Sequence, residues 1–269
     1  DFSELERRFG PRLPSPLAGY EDASIAAALK QVTEEVFVSL ATTQSPALRP
    51  IGQAAAALGV PVTAVFGPSG AGKTRLLRLI NRLDEAACGE IEVLGRPIAE
   101  WPVRELRRRV GMVFQQPTLL GMSVRENLLL PFRIAGALPR DLEERQQQAM
   151  TLAGVDPELG DRVESKLSVG QKHRVTVARS LMTEPELLLL DEPTAGLDPA
   201  TGRKLLDSLV GLNDERGLTL IMVTHKLSEA KRLGGRMAVL IGGCVLAVGD
   251  VEQLAAEPPP GPAGDFLRA

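Results

Sequence analysis

The chain has 269 residues, of which 44% are hydrophobic and 24% are charged. This length is sufficient to bury a full α/β core, in one domain or in two subdomains, and it excludes a disulfide-stabilised mini-protein. The formal net charge of −3 provides no overall basic excess, so we expect no nucleic-acid partner. The two cysteines lie far apart without metal-ligand spacing, and no apolar run reaches the roughly 18 residues of a membrane span.

The N-terminal part of the chain carries few clear signals. Residues 1–35 include a stretch rich in proline, arginine and glycine and are expected to form an irregular arm, with a short helix over residues 25–31. A strand is expected at residues 36–40. The alanine-rich run at residues 53–58 lacks the alternation of polar and apolar residues that a half-buried strand requires.

A glycine-rich motif at residues 67–74 matches the phosphate-loop pattern G-x-x-x-x-G-K-[ST] at every fixed position. Residues 62–66 have the composition of a buried strand and residues 75–80 that of a helix, which is the order that the motif requires. Glycines let backbone N–H groups turn inward around phosphate oxygens, Lys73 reaches the β- and γ-phosphates, and Thr74 is a ligand of Mg²⁺. The sequence therefore predicts a nucleotide site formed by Gly67, Pro68, Ser69, Gly70, Ala71, Gly72, Lys73 and Thr74.

Short strands and then a helical stretch follow the motif. We expect strands at residues 89–95 and 110–114, with an exposed basic helix at residues 104–109 between them. Residues 122–165 have a mostly helical pattern, which predicts an inserted helical lobe. The lobe is divided by two proline breaks, one N-cap and one glycine stop, at Pro131, Pro139, Asp141 and Gly154.

From residue 168 onward, helices and apolar strands alternate along the chain. Such alternation predicts a largely parallel sheet with helices on both of its faces. We expect helices at residues 168–182, 199–212 and 227–233, and strands at residues 187–190, 218–223, 236–241 and 244–248. Residues 255–269 contain several prolines in close succession and are expected to form a flexible end.

Two acidic residues directly follow the apolar strand predicted at residues 187–190. A buried strand places Asp191 beside the Mg²⁺ of the phosphate loop, where it binds the ion directly or through water. Glu192 then projects to the position of an attacking water, which predicts a general base. The four leucines before these acids favour such a Walker B element over a solvated turn.

These motifs, with others in a fixed order, resemble the nucleotide-binding subunits of ATP-binding cassette (ABC) transporters. The resemblance covers roughly residues 36–254, and the motifs are highly specific as a set. Besides the phosphate loop and the Walker B element, it rests on Gln115 in Val113-Phe114-Gln115-Gln116-Pro117, the signature Leu167-Ser168-Val169-Gly170-Gln171, the D-loop Ala195-Gly196-Leu197-Asp198, and the switch histidine in Thr224-His225.

The resemblance implies an α/β fold with a P-loop NTPase core. A mostly parallel sheet would be joined by an added antiparallel β region and by an inserted α-helical subdomain. The ATPase domain would consist of a catalytic core, residues 36–101 and 166–254, and a helical subdomain at about 116–165. Residues 1–35 would form an arm before this domain, and residues 255–269 a tail after it.

The resemblance also implies roles for the site residues. Glu192 and His225 would orient the attacking water, and Lys73 would stabilise charge on the γ-phosphate. Gln115 would contact both the water and the metal, and its loop would link the core to the helical lobe. The implied cofactors are ATP and Mg²⁺, the latter bound by Thr74, Gln115 and Asp191.

The signature segment of one subunit is implied to complete the nucleotide site of a second. Ser168, Gly170 and Gln171 would present hydroxyl and backbone donors to a γ-phosphate that the other subunit binds, so hydrolysis requires a dimer. Asp198 would either cross this interface or cap the helix that follows it. His173, one of only two histidines, is expected to be structural or to lie on the surface.

The implied function is that of an ATP-hydrolysing subunit that powers solute transport through a separate membrane-spanning partner. Such a subunit would form a homodimer in the cytoplasm, on the inner face of the cell membrane. Residues 116–136 would help to form the docking groove for the partner. The surroundings of Asn81 and Gln116 are weakly similar to those of phosphate-importer subunits, and neither the substrate nor the direction of transport follows from the motifs.

Other classes of protein stay open. Val169 occupies the place of a signature glycine, where a β-branched side chain resists a positive φ and crowds the phosphate, and residues 42–46 lack an aromatic to stack on adenine. Both departures favour a dimerising regulator with weak hydrolysis. A soluble cassette ATPase acting on DNA or ribosomes is disfavoured, because no sustained heptads separate Gly67 from Leu167. A kinase or a GTPase explains neither the signature nor His225.

Overall fold

The structure is a computed structural model in which residues 62–85 and 91–268 are described. The arm expected at residues 1–35, the strand expected at residues 36–40 and the alanine-rich run at residues 53–58 therefore lie outside the described residues. The same holds for the segment that lacks the adenine-stacking aromatic.

The described residues form two sheets. Their strands are β1 (Val62–Phe66), β2 (Glu92–Val93), β3 (Arg96–Pro97), β4 (Val110–Val113), β5 (Leu187–Asp191), β6 (Thr219–Thr224), β7 (Arg236–Ile241) and β8 (Cys244–Asp250). The larger sheet has the order β4-β5-β6-β1-β7-β8, and the smaller one pairs β2 with β3. In the larger sheet, β8 runs antiparallel to β7 and the other neighbouring strands are parallel. This confirms the predicted mostly parallel sheet with an added antiparallel region.

The described helices follow the strands in the predicted alternation. They are α1 (Lys73–Ile80), α2 (Val103–Arg109), α3 (Val124–Ala135), α4 (Leu142–Leu152), α5 (Val169–Leu181), α6 (Pro199–Arg216), α7 (Leu227–Leu233), α8 (Val251–Ala256) and α9 (Pro262–Arg268). Single 3₁₀ turns lie at Ile98–Glu100, Pro157–Leu159 and Glu164–Lys166. None of these helices combines the length and the apolar content that a membrane span requires.

The apolar core lies on both faces of the larger sheet. Every residue of β5 is buried, and its leucines divide between the two faces: Leu188 and Leu190 pack into one cluster, Leu187 and Leu189 into the other. A strand covered on both faces has no solvated side, which explains why the sequence of β5 is a continuous apolar run.

The register of the parallel strands determines where the site lies. Val113 of β4 is opposite Leu190, Asp191 of β5 is opposite Val223, and Phe66 of β1 is opposite Thr224. The carboxyl ends of β4, β5, β6 and β1 therefore meet at one edge of the sheet. In parallel α/β sheets, ligands bind outside this edge.

Within the described part of the strand expected at residues 89–95, only β2 is extended, and it belongs to a hairpin. β2 ends at Val93, and the chain turns through Leu94 and Gly95, whose φ angles are 53° and 72°, into β3. The hairpin is held to the segment before α2 because the Trp101 indole N–H donates to the Val93 carbonyl at 3.0 Å.

The helical lobe contains one continuous helix where a break was expected. Pro131 lies inside α3, so the predicted break at this proline is wrong. A proline removes a single i→i−4 hydrogen bond, and α3 is stabilised at both ends: a capping box of Ser123 and Glu126 begins it, and Gly136 with φ 73° ends it. Pro139 does separate α3 from α4, as predicted.

The C-terminal segment is helical and packed, so the prediction of a flexible end at residues 255–269 does not hold for its described part. The proline-rich stretch separates α8 from α9, and Pro262 begins α9 at the position where a proline is favourable. Leu267 is buried, and the Phe266 ring lies 4.9 Å from the Phe66 ring, centroid to centroid. The apolar residues after the prolines thus contribute to the core.

Candidate functional site

The phosphate loop turns tightly between β1 and α1. Gly70 and Gly72 have φ angles of 80° and 96°, which side chains rarely tolerate. Gly67 passes so close to β7 that a Cβ atom there would lie 2.0 Å from the Leu240 carbonyl oxygen. Glycine is therefore required for two different reasons: at Gly70 and Gly72 by the backbone conformation, and at Gly67 by the close approach of β7.

Lys73, the first residue of α1, folds back over this loop. Its Nζ donates to the carbonyl oxygens of Gly67 at 2.8 Å and of Pro68 at 2.9 Å. Burial lowers the pKa of Lys73, whereas the carboxylates of Glu192 and Asp191 act in the opposite direction. A partly desolvated ammonium group next to main-chain carbonyls is a suitable donor for phosphate oxygens.

Asp191 ends β5 with its side chain directed at α1. The Thr74 hydroxyl donates to the Asp191 Oδ1 atom at 3.1 Å. Asp191 is only 3% exposed, and burial raises the pKa of its carboxyl, with the Thr74 hydrogen bond opposing the shift. The hydroxyl and carboxylate oxygens that meet here are the kind of ligand that Mg²⁺ prefers.

Glu192 lies at the centre of the candidate site. Its Oε2 atom accepts from the Gln115 side-chain amide at 3.1 Å, and its Oε1 atom is 3.0 Å from the His225 Nδ1 atom. These residues follow the carboxyl ends of β4, β5 and β6, so the sheet register brings them together as the motif order implied. Glu192 itself has a φ of 46°, an uncommon conformation for a residue with a side chain.

His173 makes a contact that the sequence did not reveal. It lies on α5, is fully buried, and places its Nε2 atom 3.1 Å from the Gln115 carbonyl oxygen. Burial lowers the pKa of His173, so the imidazole is neutral at neutral pH. The structural role expected for this histidine is confirmed, and its partner is the loop that carries Gln115.

The signature segment forms the N-terminus of α5. Ser168 is the N-cap: its hydroxyl accepts from the Gln171 N–H at 3.2 Å, and the Gln171 side chain accepts from the Ser168 N–H at 2.9 Å. A Cβ atom on Gly170 would lie 3.2 Å from a methyl carbon of Leu197. Among the described residues, no hydrogen bond joins this segment to the phosphate loop of the same chain.

Val169 does not have the backbone conflict that we expected. It is the first residue of α5 and has no positive φ, so the prediction of strain at this position is wrong. A helical first turn accepts a β-branched residue at little cost. Its side chain is 61% exposed beside Gly196 of the D-loop, so the only expected effect of Val169 that is left is steric crowding by this side chain.

Asp198 is the N-cap of α6, which is one of the two roles that we expected for it. The carboxylate accepts from the N–H groups of Ala200 at 3.1 Å and of Thr201 at 3.0 Å. These hydrogen bonds, led by those from Thr201, lower the pKa of Asp198. The cap fixes the D-loop against α6.

The fold and this edge of the sheet define a P-loop nucleotide-binding α/β protein. The sequence model of a family described as ABC transporter matches residues 60–195. Methionine import ATP-binding protein MetN of Caulobacter vibrioides is 41% identical over 211 residues, which are 77% of this chain and 63% of that protein. Protein STAR1 of Oryza sativa subsp. japonica is 41% identical over 187 residues, 70% of this chain and 54% of its own length.

Solved structures agree with these sequence matches. The dimeric ATP-binding cassette MJ0796 in a post-hydrolysis state, bound to ADP and Pi, superimposes with a TM-score of 0.65 at 31% identity, covering 72% of this chain and 86% of that one. The cbiO1 subunit from Clostridium perfringens gives a TM-score of 0.66 at 33% identity, covering 74% and 80%. The chain belongs to the ABC transporter family. It spans about three fifths of the length of the curated relatives it matches.

Proposed function

We propose that this chain binds ATP with Mg²⁺ at the phosphate loop and hydrolyses it. The observation that carries the proposal is the placement of Glu192 between Gln115 and His225, at the sheet edge that also bears Lys73 and Asp191. A carboxylate in this position, with donors on both sides and a lysine at the adjoining phosphate loop, fits the attack of water on a γ-phosphate.

Lys73 supplies the first interaction with the substrate in this proposal. Its present acceptors, the carbonyls of Gly67 and Pro68, would be exchanged for β- and γ-phosphate oxygens. Residues Thr74, Asp191 and Gln115 would hold Mg²⁺, which when bound neutralises charge on the phosphate oxygens. The described residues contain no group of three or more His, Cys, Asp or Glu that fits a metal, so phosphate oxygens would complete this site.

Glu192 acts as the base in the proposed reaction. Each of its carboxylate oxygens accepts one hydrogen bond, so each retains a lone pair for a water molecule. Glu192 would orient this water and take its proton, while His225 supports the γ-phosphate. The main-chain carbonyl of Gln115 contacts His173, and its side-chain amide contacts Glu192. A displacement of the loop that carries Gln115 would therefore change the surroundings of Glu192.

A second copy of the chain would complete the site. Ser168, Gly170 and Gln171 lie at the N-terminus of α5, where the helix dipole and the first-turn N–H groups that the capping box does not use favour an anion. The MJ0796 cassette, a structural relative, is itself a dimer. We therefore propose that ATP binds between the phosphate loop of one copy and the signature of the other.

We further propose that the hydrolysis drives a separate membrane-spanning partner, which would place this chain in the cytoplasm at the inner face of the membrane. Several of the most similar relatives are named as methionine import proteins. The helical lobe exposes apolar side chains at Leu120, Ile134 and Leu138, which are suited to docking the partner. Methionine is the first solute to test once the partner has been co-purified.

Lys73→Ala tests the proposed nucleotide site. We expect at least a tenfold loss of ATP affinity and no ATPase activity, because the variant loses the ammonium group that contacts the phosphates. Lys204→Ala is the control, since it removes an exposed lysine from α6. Equal ATP affinity and equal turnover of Lys73→Ala and the wild type would contradict the proposal.

A second candidate function is that of a dimerising regulator with weak turnover. The observation in its favour is the exposed Val169 side chain at the tip of the signature, where it would meet the partner's nucleotide. Such a protein would dimerise with ATP and release little phosphate. Measuring dimerisation and turnover on the same sample separates the two functions.

A further inference from the structure

The backbone at Glu192 has a conformation that its surroundings must hold in place. A φ of 46° costs a residue with a side chain free energy, and it persists only where contacts on both sides enforce it. On the upstream side, β5 is paired with β6, and the Glu192 N–H donates to the Val223 carbonyl at 3.0 Å. A second anchor is needed on the downstream side.

Glu229 of α7 provides this anchor. Thr194 lies two residues after Glu192, and its hydroxyl donates to the Oε1 atom of Glu229. The Thr224 hydroxyl donates to the Oε2 atom of Glu229 at 2.7 Å. Thr224 is the residue directly before His225. One carboxylate therefore joins the segment that follows Glu192 to the segment that carries His225.

The surroundings of Glu229 favour its ionised form. The Glu229 side chain is only 12% exposed, and Lys226 Nζ donates to it at 2.9 Å from the solvent side. Burial alone would raise the pKa of Glu229, but the hydrogen bonds from Thr194, Thr224 and Lys226 lower it overall. The ionised form accepts from both hydroxyls at once, which makes the bridge specific and rigid.

We infer that Glu229 is a positioning residue for hydrolysis, an inference that rests on the proposed ATPase function. Through Thr194, Glu229 holds Glu192 in its strained backbone conformation. Through Thr224, it restrains the position of His225 relative to Glu192. Glu229 itself touches neither the nucleotide loop nor the Glu192 carboxylate among its hydrogen bonds in the described chain. Its removal should therefore affect turnover and leave ATP affinity nearly unchanged.

Glu229→Ala is the first test, compared with Glu229→Gln and with Lys231→Ala, which removes an exposed lysine from the same helix. A displacement of catalytic groups by about 1 Å costs roughly 100-fold in rate, so we expect kcat of Glu229→Ala to fall about 10- to 100-fold. The KM and Kd for ATP should change less than about threefold, which corresponds to under 1 kcal/mol.

Glu229→Gln should recover most of kcat, because a threonine hydroxyl accepts as well as donates and both hydroxyls keep a partner. If Glu229→Ala does not fold, Thr194→Val removes one arm of the bridge while preserving the side-chain shape, and it should lower kcat with unchanged ATP affinity. Turnover equal to the wild type in Thr194→Val and Glu229→Ala overturns the inference.

Combination with Glu192→Gln separates positioning from a general loss of structure. If Glu229 acts through Glu192 and His225, then adding Glu229→Ala to Glu192→Gln causes a smaller loss in the single-turnover rate than Glu229→Ala causes in the wild type. A full additional loss in the double variant overturns the inference, as does parallel loss of ATP affinity and turnover without recovery in Glu229→Gln. Absence of ATPase activity in the wild type would instead overturn the proposed function, and this inference with it.

Discussion

At the scale of single residues, the site contains buried charged groups whose desolvation costs free energy in the absence of a ligand. Lys73 and Asp191 are both buried, and burial shifts the pKa of each towards its neutral form. Each charge partly offsets the cost of the other, but no direct hydrogen bond joins them among the described contacts of either side chain. Bound phosphate and Mg²⁺ would supply the missing partners, so stability and function are opposed at these positions.

Asp191→Asn should accordingly stabilise the nucleotide-free protein. The amide retains the acceptor for Thr74 and removes a buried charge, and a gain of about 1 kcal/mol raises Tm by about 2–4 °C in a domain of this size. The raised pKa means that the cost of ionisation is present above the folded pKa and vanishes below the ordinary value of 3.8. The Tm difference from the wild type should thus be largest near pH 7 and shrink towards pH 4.

The readouts for Asp191→Asn are differential scanning calorimetry from pH 4 to 7 and a Mg²⁺-dependent ATPase assay. Activity should fall at least tenfold while Tm rises, since the carboxylate ligand is lost. A lower Tm at neutral pH would show that the buried charge is not a net cost to the free protein.

Val169→Gly is the second prediction at this scale. The side chain is exposed at the first turn of α5 and crowds the surface that faces a second copy in the proposed dimer. Removing it should raise steady-state ATPase activity about two- to tenfold, a range that corresponds to about 0.4–1.4 kcal/mol. Tm should change little, because the first helical position tolerates glycine. An unchanged or lower rate would assign Val169 no inhibitory role.

At the scale of elements, the site is built from strand ends. The apolar run of β5, the position of Asp191 and the alternation of strands and helices follow from the sequence, because parallel strands buried on both faces leave a clear pattern. The contact of His173 with the Gln115 loop and the Glu229 bridge do not follow from it. Both join segments far apart in the chain, His173 to Gln115 and Glu229 to Thr194, through single side chains, and neither leaves a periodic signal.

Two expectations from local sequence rules failed, one at Pro131 and one in the proline-rich C-terminal segment. Pro131 was expected to break a helix, yet the caps at both ends of α3 keep it continuous. The proline-rich end was expected to be flexible, yet α9 places Leu267 in the core. Composition correctly marked the interruption before α9, and it gave no information about the packing of the residues after it.

The packing of α9 yields a prediction about stability. Leu267→Ala should lower the free energy of unfolding by about 2–3 kcal/mol, because it removes a buried side chain and leaves a cavity. Arg268→Ala is the control, since its partner Asp265 is an exposed surface residue, and such pairs contribute about 0–1 kcal/mol. Chemical denaturation of both variants measures the difference. Equal midpoints would mean that α9 does not stabilise the domain.

At the scale of the whole molecule, two parts of the proposed nucleotide site share no hydrogen bond among the described residues of one chain. The phosphate loop, Asp191 and Glu192 lie at one edge of the sheet, whereas Ser168 lies at the N-terminus of α5 and makes a local capping box. Two copies in a head-to-tail arrangement related by a twofold axis would join these parts around two ATP molecules. ATP binding would then assemble the dimer, and hydrolysis would release it.

Glu192→Gln tests this account most directly. The amide keeps the side-chain shape and removes the base, so ATP should bind and persist, and the dimer should accumulate. Light scattering with size exclusion at saturating ATP and Mg²⁺ measures the mass, with Glu192→Gln combined with Lys73→Ala as the control that does not bind ATP. We expect Glu192→Gln to be a dimer only when ATP is present, and the control to be a monomer. A monomeric Glu192→Gln variant at saturating ATP would contradict it.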